Sequence, residues 1–481
     1  MNLVKDIGKK GLPTYKSNGK YLYSSYDPVL EAERYVASLK VLEKVVITCC
    51  GIDYVNGALI KSGVDKILSF EPIGFENDFC DFENSSKIVR FEKLLDLKDY
   101  IIKNNIINSR IIIWEPLILS NPEIYLSDLK DLKNFIGKKN FSDKSAETFG
   151  FLESKNILKN LLNFKKIPFA FRNSDKLPNL AIIAASGFSL KDSVDFIKKI
   201  KDCAVIIALP SALPYLQENN IFPDYAIAVD PGYATFYHLS KYKKKITLLT
   251  TLSVTPSVFN LKNVESVFFN YGNPIENKLY EKNNVATSLS EGSVIFNAFR
   301  IVKETGFENV IPLGMDFGFK DNRSHIFEGL FEKEFTSTSD YFCSVERSLK
   351  NIETSKSISF IDDGVKKIKS DFSLQIYYNH FIEENFGLNI LLREKTFNVL
   401  KNRFEMLNEK EIFDKFSKYK KDNPPLKIGF IKNFNEKRKM IYDFFIKEFR
   451  NKNSEFLKIL NVDLNNPIHK KSLEKVIGVK L

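Results

Sequence analysis

The sequence predicts an α/β protein in three parts: an N-terminal Rossmann-like domain over residues 1–165, a central doubly wound α/β domain over 166–400, and a basic helical region over 401–481. Three observations carry that expectation. Short apolar runs of strand length recur through the first 330 residues and close on Gly, Pro or an acid. Stretches with apolar residues at helical spacing lie between them, the pattern of strands buried in a parallel sheet. After residue 400 the chain reads as helical and polar, with an internal break at Pro424-Pro425.

In the first part, Val45-Val46-Ile47-Thr48-Cys49-Cys50 runs into Gly51, and a helical stretch starts at Asp53. Lys66-Ile67-Leu68-Ser69-Phe70 ends at Glu71, and Arg110-Ile111-Ile112-Ile113-Trp114 at Glu115. A Gly after the first strand and an acid after the second is the layout of a nucleotide crevice. Gly51 stands alone, without the GxGxxG spacing, so an α/β domain with a purely structural role fits as well. Residues 120–178 are rich in Lys and Asn and read as helical.

In the second part, Leu180–Ala185 is a buried strand followed by Ser186-Gly187-Phe188-Ser189. A helix should follow, with Leu190, Val194, Ile197 and Ile200 on one face and Ser189 with Asp192 as its cap signature. Its N-terminus would suit a phosphate, Gly187 allowing close approach and Ser189 offering a hydroxyl; an ordinary cap is the alternative. Ala204–Leu209 and Tyr225–Val229 are further strands, the latter ending at Asp230-Pro231-Gly232. Residues 293–305 read as a helix with Gly306 just past its end, and Val310–Leu313 runs into Gly314-Met315-Asp316. The site of such a domain lies beyond the carboxyl ends of its strands. Asp230 and Asp316 sit there, where an acid can bind a ribose, orient a reacting group or close a turn.

The chain has four histidines, His238, His325, His380 and His469. An imidazole titrates near neutrality and suits a general base. His325, shortly after the Asp316 strand end, is the best placed.

Composition narrows the function classes. A hydrophobic fraction of 44% with 13% aromatic residues excludes global disorder. Five scattered cysteines, with no CxxC, point away from zinc and iron–sulfur sites and toward a reducing compartment. Met1-Asn2-Leu3-Val4-Lys5-Asp6 has no apolar signal region, and no run approaches the roughly 18 apolar residues of a membrane span. A cytoplasmic location is expected. Asp-x-Asp, HExxH, the GxxxxGK[ST] loop and G-x-S-x-G are absent, which disfavours proteases, P-loop enzymes and α/β-hydrolases. The 71 Lys and Arg exceed the 60 Asp and Glu by 11, and residues 401–481 hold 20 of the bases against 11 acids. The first 400 residues therefore carry only +2. The excess belongs to the tail, as a solvated helix face or a docking surface, and nucleic acid is not expected as a partner.

Gly11-Leu12-Pro13-Thr14, Tyr21–Pro28 and Glu31-Ala32-Glu33-Arg34 resemble the amino-terminal segment of the motility-associated factor (Maf) glycosyltransferases. The middle region resembles their central domain, also described as 6-hydroxymethylpterin diphosphokinase MptE-like. The matching stretches are Ala185–Leu190, Phe222-Pro223-Asp224 with Val229-Asp230-Pro231, Glu291-Gly292-Ser293-Val294, Leu313–Asp316 and Ser324-His325. Where the family's turn usually has Gly-x-Gly-Pro-Ser-Leu, Ala185 replaces the first Gly and Phe188 the Pro. The amino-terminal glycine-rich turn is reduced to Cys50-Gly51-Ile52-Asp53-Tyr54.

The resemblance implies a sialyltransferase-like central domain that moves a pseudaminic- or legionaminic-type nonulosonic acid from a CMP-sugar to Ser or Thr of flagellin. Carried over by position, Ser186, Gly187 and Ser189 would contact the donor nucleotide or phosphate. Gly292 and Ser293 would open a helix beside it, Asp230 and Asp316 would line the site, and His325 would be the base. No metal or other cofactor is implied, since a helix N-terminus can stabilise a phosphate leaving group unaided. Two alternatives stand: a Mg-dependent pterin diphosphokinase, and a non-catalytic flagellin-binding or chaperone-like protein.

Overall fold

Alternation of buried strands and helices produces two parallel sheets, one in each of two units, Met1–Ser145 and Ala146–Leu481. The structure is a computed structural model. It describes all residues except 1–2, 18, 74–84, 105, 107–108, 174–176, 290–291, 324, 326–332, 334–335, 338, 340–343, 355–357, 363–366, 394–403, 420–425, 452–453, 455, 458–459, 461, 464 and 478–481. Glu291, Ser324 and the Pro424-Pro425 break lie outside the described residues.

The first unit opens with an antiparallel sheet of β1 (Leu3–Ile7), β2 (Pro13–Ser17) and β3 (Lys20–Tyr21). Helix α1 (Pro28–Leu39) starts at Asp27, whose carboxylate accepts from the Leu30 amide, with Pro28 in the first turn. β4 (Val45–Cys49), α2 (Tyr54–Lys61), β5 (Lys66–Phe70), β6 (Ile88–Phe91), α3 (Leu94–Lys103) and β7 (Arg110–Ile113) follow, then α4 (Glu115–Ser120). The four strands are parallel in the order β6-β5-β4-β7. That is half of a dinucleotide-binding sheet, with its reversal at β4.

Helix α5 (Pro122–Asn163) contains the division between the units, so the expected boundary near 165 moves to the middle of a helix. The second unit holds β8 (Pro168–Ala170), β9 (Leu177–Ala184), α6 (Val194–Ile200), β10 (Ala204–Ala208), α7 (Leu213–Glu218), β11 (Tyr225–Ala228), α8 (Tyr233–Lys241), β12 (Ile246–Thr250), β13 (Val264–Phe268), α9 (Pro274–Tyr280), α10 (Val294–Glu304) and β14 (Phe307–Leu313). It continues through α11 (Val345–Thr354), the hairpin of β15 (Ile358–Asp362) and β16 (Lys367–Asp371), α12 (Phe372–Glu383) and β17 (Asn389–Arg393). Last come β18 (Glu405–Leu407), α13 (Glu409–Phe416), β19 (Ile428–Phe430), α14 (Phe434–Arg450) and α15 (Pro467–Ile477).

The ten-stranded sheet has the order β18-β17-β14-β9-β10-β11-β12-β13-β8-β19 and is parallel except for β19. Alternate residues of β9 reach opposite faces. Ala181 and Ile183 join a core with Phe296, Phe299 and Phe381 of α10 and α12, while Leu180, Ile182 and Ala184 meet Ile197, Leu213 and Leu239 of α6, α7 and α8. Burial on both sides is why the strand reads as an unbroken apolar run. Strand order reverses at β9, with β10 on one side and β14 on the other.

The helical appendage expected over 401–481 is corrected. β18 extends one edge of the sheet beside β17, and β19 caps the other beside β8. Strands of three residues are too short for alternation to show in sequence. Ile441, Phe445 and Phe449 of α14 are buried with Ile157, Leu158 and Leu161 of α5, so α14, which carries Lys437, Arg438, Lys439, Lys447 and Arg450, packs into a core of the second unit.

Candidate functional site

The reversal of strand order sets up a crevice outside the carboxyl ends of β9 and β14. The turns leaving these strands are sewn together. Ala185 donates to the Leu313 carbonyl at 2.8 Å, Gly187 to the Gly314 carbonyl at 2.8 Å, and the Ser189 amide to Asp316 Oδ2 at 2.8 Å. Gly187 has an ordinary φ of −68°; it is required by proximity. A Cβ there would stand 2.3 Å from both Asp316 Oδ2 and the Gly314 carbonyl oxygen. Gly314 has φ +67°, and its Cβ would meet the Ala185 carbonyl at 2.2 Å.

This geometry revises the expected Ser189 cap. Residues Phe188–Ser193 form a 3₁₀ turn, and the α-helix begins only at Val194. Asp316, from the neighbouring strand end and only 5% exposed, supplies the carboxylate at its start. Ser189 Oγ is buried, with no hydrogen-bond partner among the described residues. A negative side chain already serves the amide expected to meet a phosphate. Phe188, in place of the family's Pro, lies under the Lys320 ammonium, 5.9 Å from its ring centre.

An open cavity lies on the β10–β11 side of the crevice. It has a volume of about 180 Å³, and its lining includes Ser211, Asp230, Thr235, His238, Val294 and His325. They come from the turns after β10 and β11, from α8, which supplies both Thr235 and His238, from the start of α10 and from the segment after β14. Ser211 follows β10 and shares a 2.8 Å hydroxyl–hydroxyl hydrogen bond with Ser186, which ties the β9 turn to the cavity wall. Asp230 follows β11; its Oδ1 accepts from the Gly232 amide at 2.7 Å and its carbonyl from Thr235 Oγ1 at 3.3 Å, and the residue is exposed. Val294 is the first residue of α10. Gly292, at φ +77°, turns the chain into Ser293, whose side chain makes no capping bond, so the α10 N-terminus opens beside the cavity.

Of the residues expected from sequence, the cavity brings together Asp230 and His325, with Ser186 one hydrogen bond behind it and Gly292-Ser293 leading into the Val294 wall. Gly187, Ser189 and Asp316 form the brace at the strand reversal instead and do not line the cavity. His238, Ser211 and Thr235 line it too. His238 sits in α8, 5% exposed, and burial holds its pKa below the usual imidazole value while Asp230 pulls the other way. Its register, eight residues after Asp230 on the helix leaving β11, was a signal available in the sequence.

Buried polar groups hold the neighbouring loops. Asn156 Nδ2 donates to the Pro231 and Ser253 carbonyls, and Asn160 Nδ2 to those of Leu252 and Val254. Glu276, fully buried, accepts from the amides of Leu252 and Tyr271, and burial raises its pKa to about 8. Among the described residues, no three or more His, Cys, Asp and Glu side chains are grouped to hold a metal.

The other crevice, in the first unit, is occupied by its own side chain. Glu71, at the end of β5, places Oε1 2.8 Å from the amides of both Cys50 and Gly51. Those are the amides a dinucleotide phosphate would use. Burial raises the Glu71 pKa to about 8. Asp53, fully buried, pairs with Arg90, and Tyr23 OH donates to the Cys50 carbonyl at 2.6 Å.

The resemblance read from sequence is met by comparison with known proteins. Residues 155–322 match the family model described as 6-hydroxymethylpterin diphosphokinase MptE-like. The fold is similar to that of a Maf glycosyltransferase from Magnetospirillum magneticum AMB-1, with a TM-score of 0.51 and 13% sequence identity, covering 97% of this chain and 82% of that one. No curated protein matches the chain. No helix among the described residues is long and apolar enough to cross a membrane.

Proposed function

We propose that this chain is a protein O-glycosyltransferase that moves a nonulosonic acid of pseudaminic or legionaminic type from a CMP-sugar to Ser or Thr hydroxyls of flagellin in the cytoplasm. The observation that carries the reading is the cavity at the carboxyl ends of β10 and β11, where His325, His238 and Asp230 meet the N-terminus of α10. It lies within the span matched by the family model or, for His325, three residues beyond it. The fold shared with a Maf glycosyltransferase supports the same class of reaction.

In this mechanism the donor phosphate faces the amides that open α10, where the helix dipole stabilises charge as the glycosidic bond breaks. Asp230, exposed at the open mouth of the cavity, holds the nucleoside, which extends beyond the cavity itself. His325 takes the acceptor hydroxyl proton as the oxocarbenium-like centre forms, a contribution of roughly 10²–10⁴-fold. His238, whose pKa burial lowers, lines the same cavity beside Asp230 and orients the site. No metal is needed in this scheme. Ala185 and Phe188 belong to the brace, so the departures from the family's turn leave the cavity residues in place.

Intact mass spectrometry of flagellin from cells with and without the gene tests the reading. A sugar-sized loss of mass on deletion is expected; an unchanged mass overturns it and favours a non-catalytic flagellin-binding role. The family model's description favours one further reading, diphosphoryl transfer to a pterin. ATP binding and EDTA-sensitive pterin diphosphorylation would identify it.

A further inference from the structure

The first unit carries a groove that the glycosyltransferase reading does not use. It has a volume of about 1090 Å³ and runs along β7 between the C-terminal part of α1 and the first half of α5. Small-molecule pockets run from about 300 to 1,000 Å³, so the groove has room for a larger occupant.

β7 is the edge of its sheet. In a parallel pair alternate residues bond the partner strand, and Trp114 donates to the Cys49 carbonyl at 3.0 Å in register with the β4–β7 pairing. Residues of that parity, including Ile112, turn their backbone toward β4. Ile111 and Ile113 turn theirs to the open side, where Tyr35 OH takes up the Ile113 carbonyl at 2.7 Å. The Ile111 amide and carbonyl and the Ile113 amide therefore face the groove. Natural edges are usually blunted by charge, proline or cover. Here Leu119 and Leu126, 75% and 58% exposed, extend the apolar floor instead.

The rim selects the charge of the occupant. Arg110, Lys130 and Lys133 line the groove against the single acid Glu115. Arg110 is held in place by its bond to the Leu39 carbonyl at 3.1 Å. We infer that this groove binds an extended acidic polypeptide segment, which adds a strand beside β7 and sets alternate apolar side chains on Ile111, Leu119 and Leu126 while its carboxylates meet the cationic rim. The four residues of β7 span about 13 Å, enough for a short strand to pair along its whole length.

Fluorescence anisotropy on the full chain tests this with a labelled peptide of alternating Val and Glu, the same peptide N-methylated at alternate amides, and its Val–Lys counterpart. Saturable binding of the first is expected, weakened by about tenfold or more in the surface variant Lys130→Glu/Lys133→Glu and lost on N-methylation. Failure of the Val–Glu peptide to bind, equal binding of the Val–Lys peptide, or indifference to N-methylation would overturn the inference. So would a dimer in analytical ultracentrifugation that the double variant disperses, since a second copy would then be the occupant. Circular dichroism of the double variant confirms that its fold is kept. None of these readouts depends on sugar transfer, so the two proposals fail separately.

Discussion

Both units reverse their strand order beside a glycine turn, and in both a carboxyl of the chain's own takes amides of that turn. In the first unit Glu71 bends back and takes the Cys50 and Gly51 amides, so the phosphate position is filled by the protein's own carboxyl. In the second, Asp316 takes the Ser189 amide in the same way, but the chain then leaves a separate opening one strand over, walled by Asp230, His238, Val294 and His325. The lesson is general: an acid next to a βα turn can be a ligand-binding group or a replacement for the ligand. Hydrogen-bond geometry decides which.

The largest expected effect separates the two crevices by activity. His325→Ala lowers transfer by about 10²–10⁴-fold and leaves CMP affinity nearly intact, measured by turnover and isothermal titration. Near-normal turnover would remove His325 from the mechanism.

The buried carboxyls come next. Glu71 and Glu276 both have pKa values raised from 4.5 to about 8, so the folded protein holds protons that the unfolded chain releases. Their contribution is complete below about pH 4.5 and is lost as pH rises through 8, on the order of several kcal/mol between them. Denaturant unfolding of Glu71→Gln/Glu276→Gln should show a flatter stability profile over that window than the parent. A parallel profile would contradict the assignment.

A smaller loss is expected from Gly187→Ala, whose methyl must displace Asp316 or Gly314; chemical denaturation should show about 1–3 kcal/mol of destabilisation. Retained stability would mean that the brace yields easily. The smallest effect is a deliberate non-effect: Glu71→Gln alone should leave transfer within about twofold, since that crevice takes no part. A large drop in transfer would put the first unit into the mechanism.

Much of the scaffold was legible. Runs such as Leu180–Ala184 and Tyr225–Ala228 are buried on both faces, and that double burial writes itself into composition. The helix over 293–305 and its stop at Gly306, where φ is 101°, were equally clear; the turn at Gly292, where φ is 77°, came from the family resemblance. What stayed hidden was non-local. β18 and β19 are too short for a pattern, and their pairing is set by sheet edges far away in sequence. The separation of Asp316 from the cavity was hidden as well, since Ser189 lies 127 residues away from it. Glu71 was placed correctly at a strand end; that its carboxyl would fill the crevice depended on a turn twenty residues back. His238 was one of four histidines, and only folding α8 against β11 showed that it shares a wall with Asp230.

The central claim is that nucleotide enters the second unit and not the first. Hydrogen–deuterium exchange of the full chain with and without CMP measures it directly. Protection is predicted in the turns around 209–211, 230–235 and 292–296, with no change at 50–54 or 71. Protection confined to the Cys50–Glu71 turns, with none around Asp230 and Val294, would contradict the account.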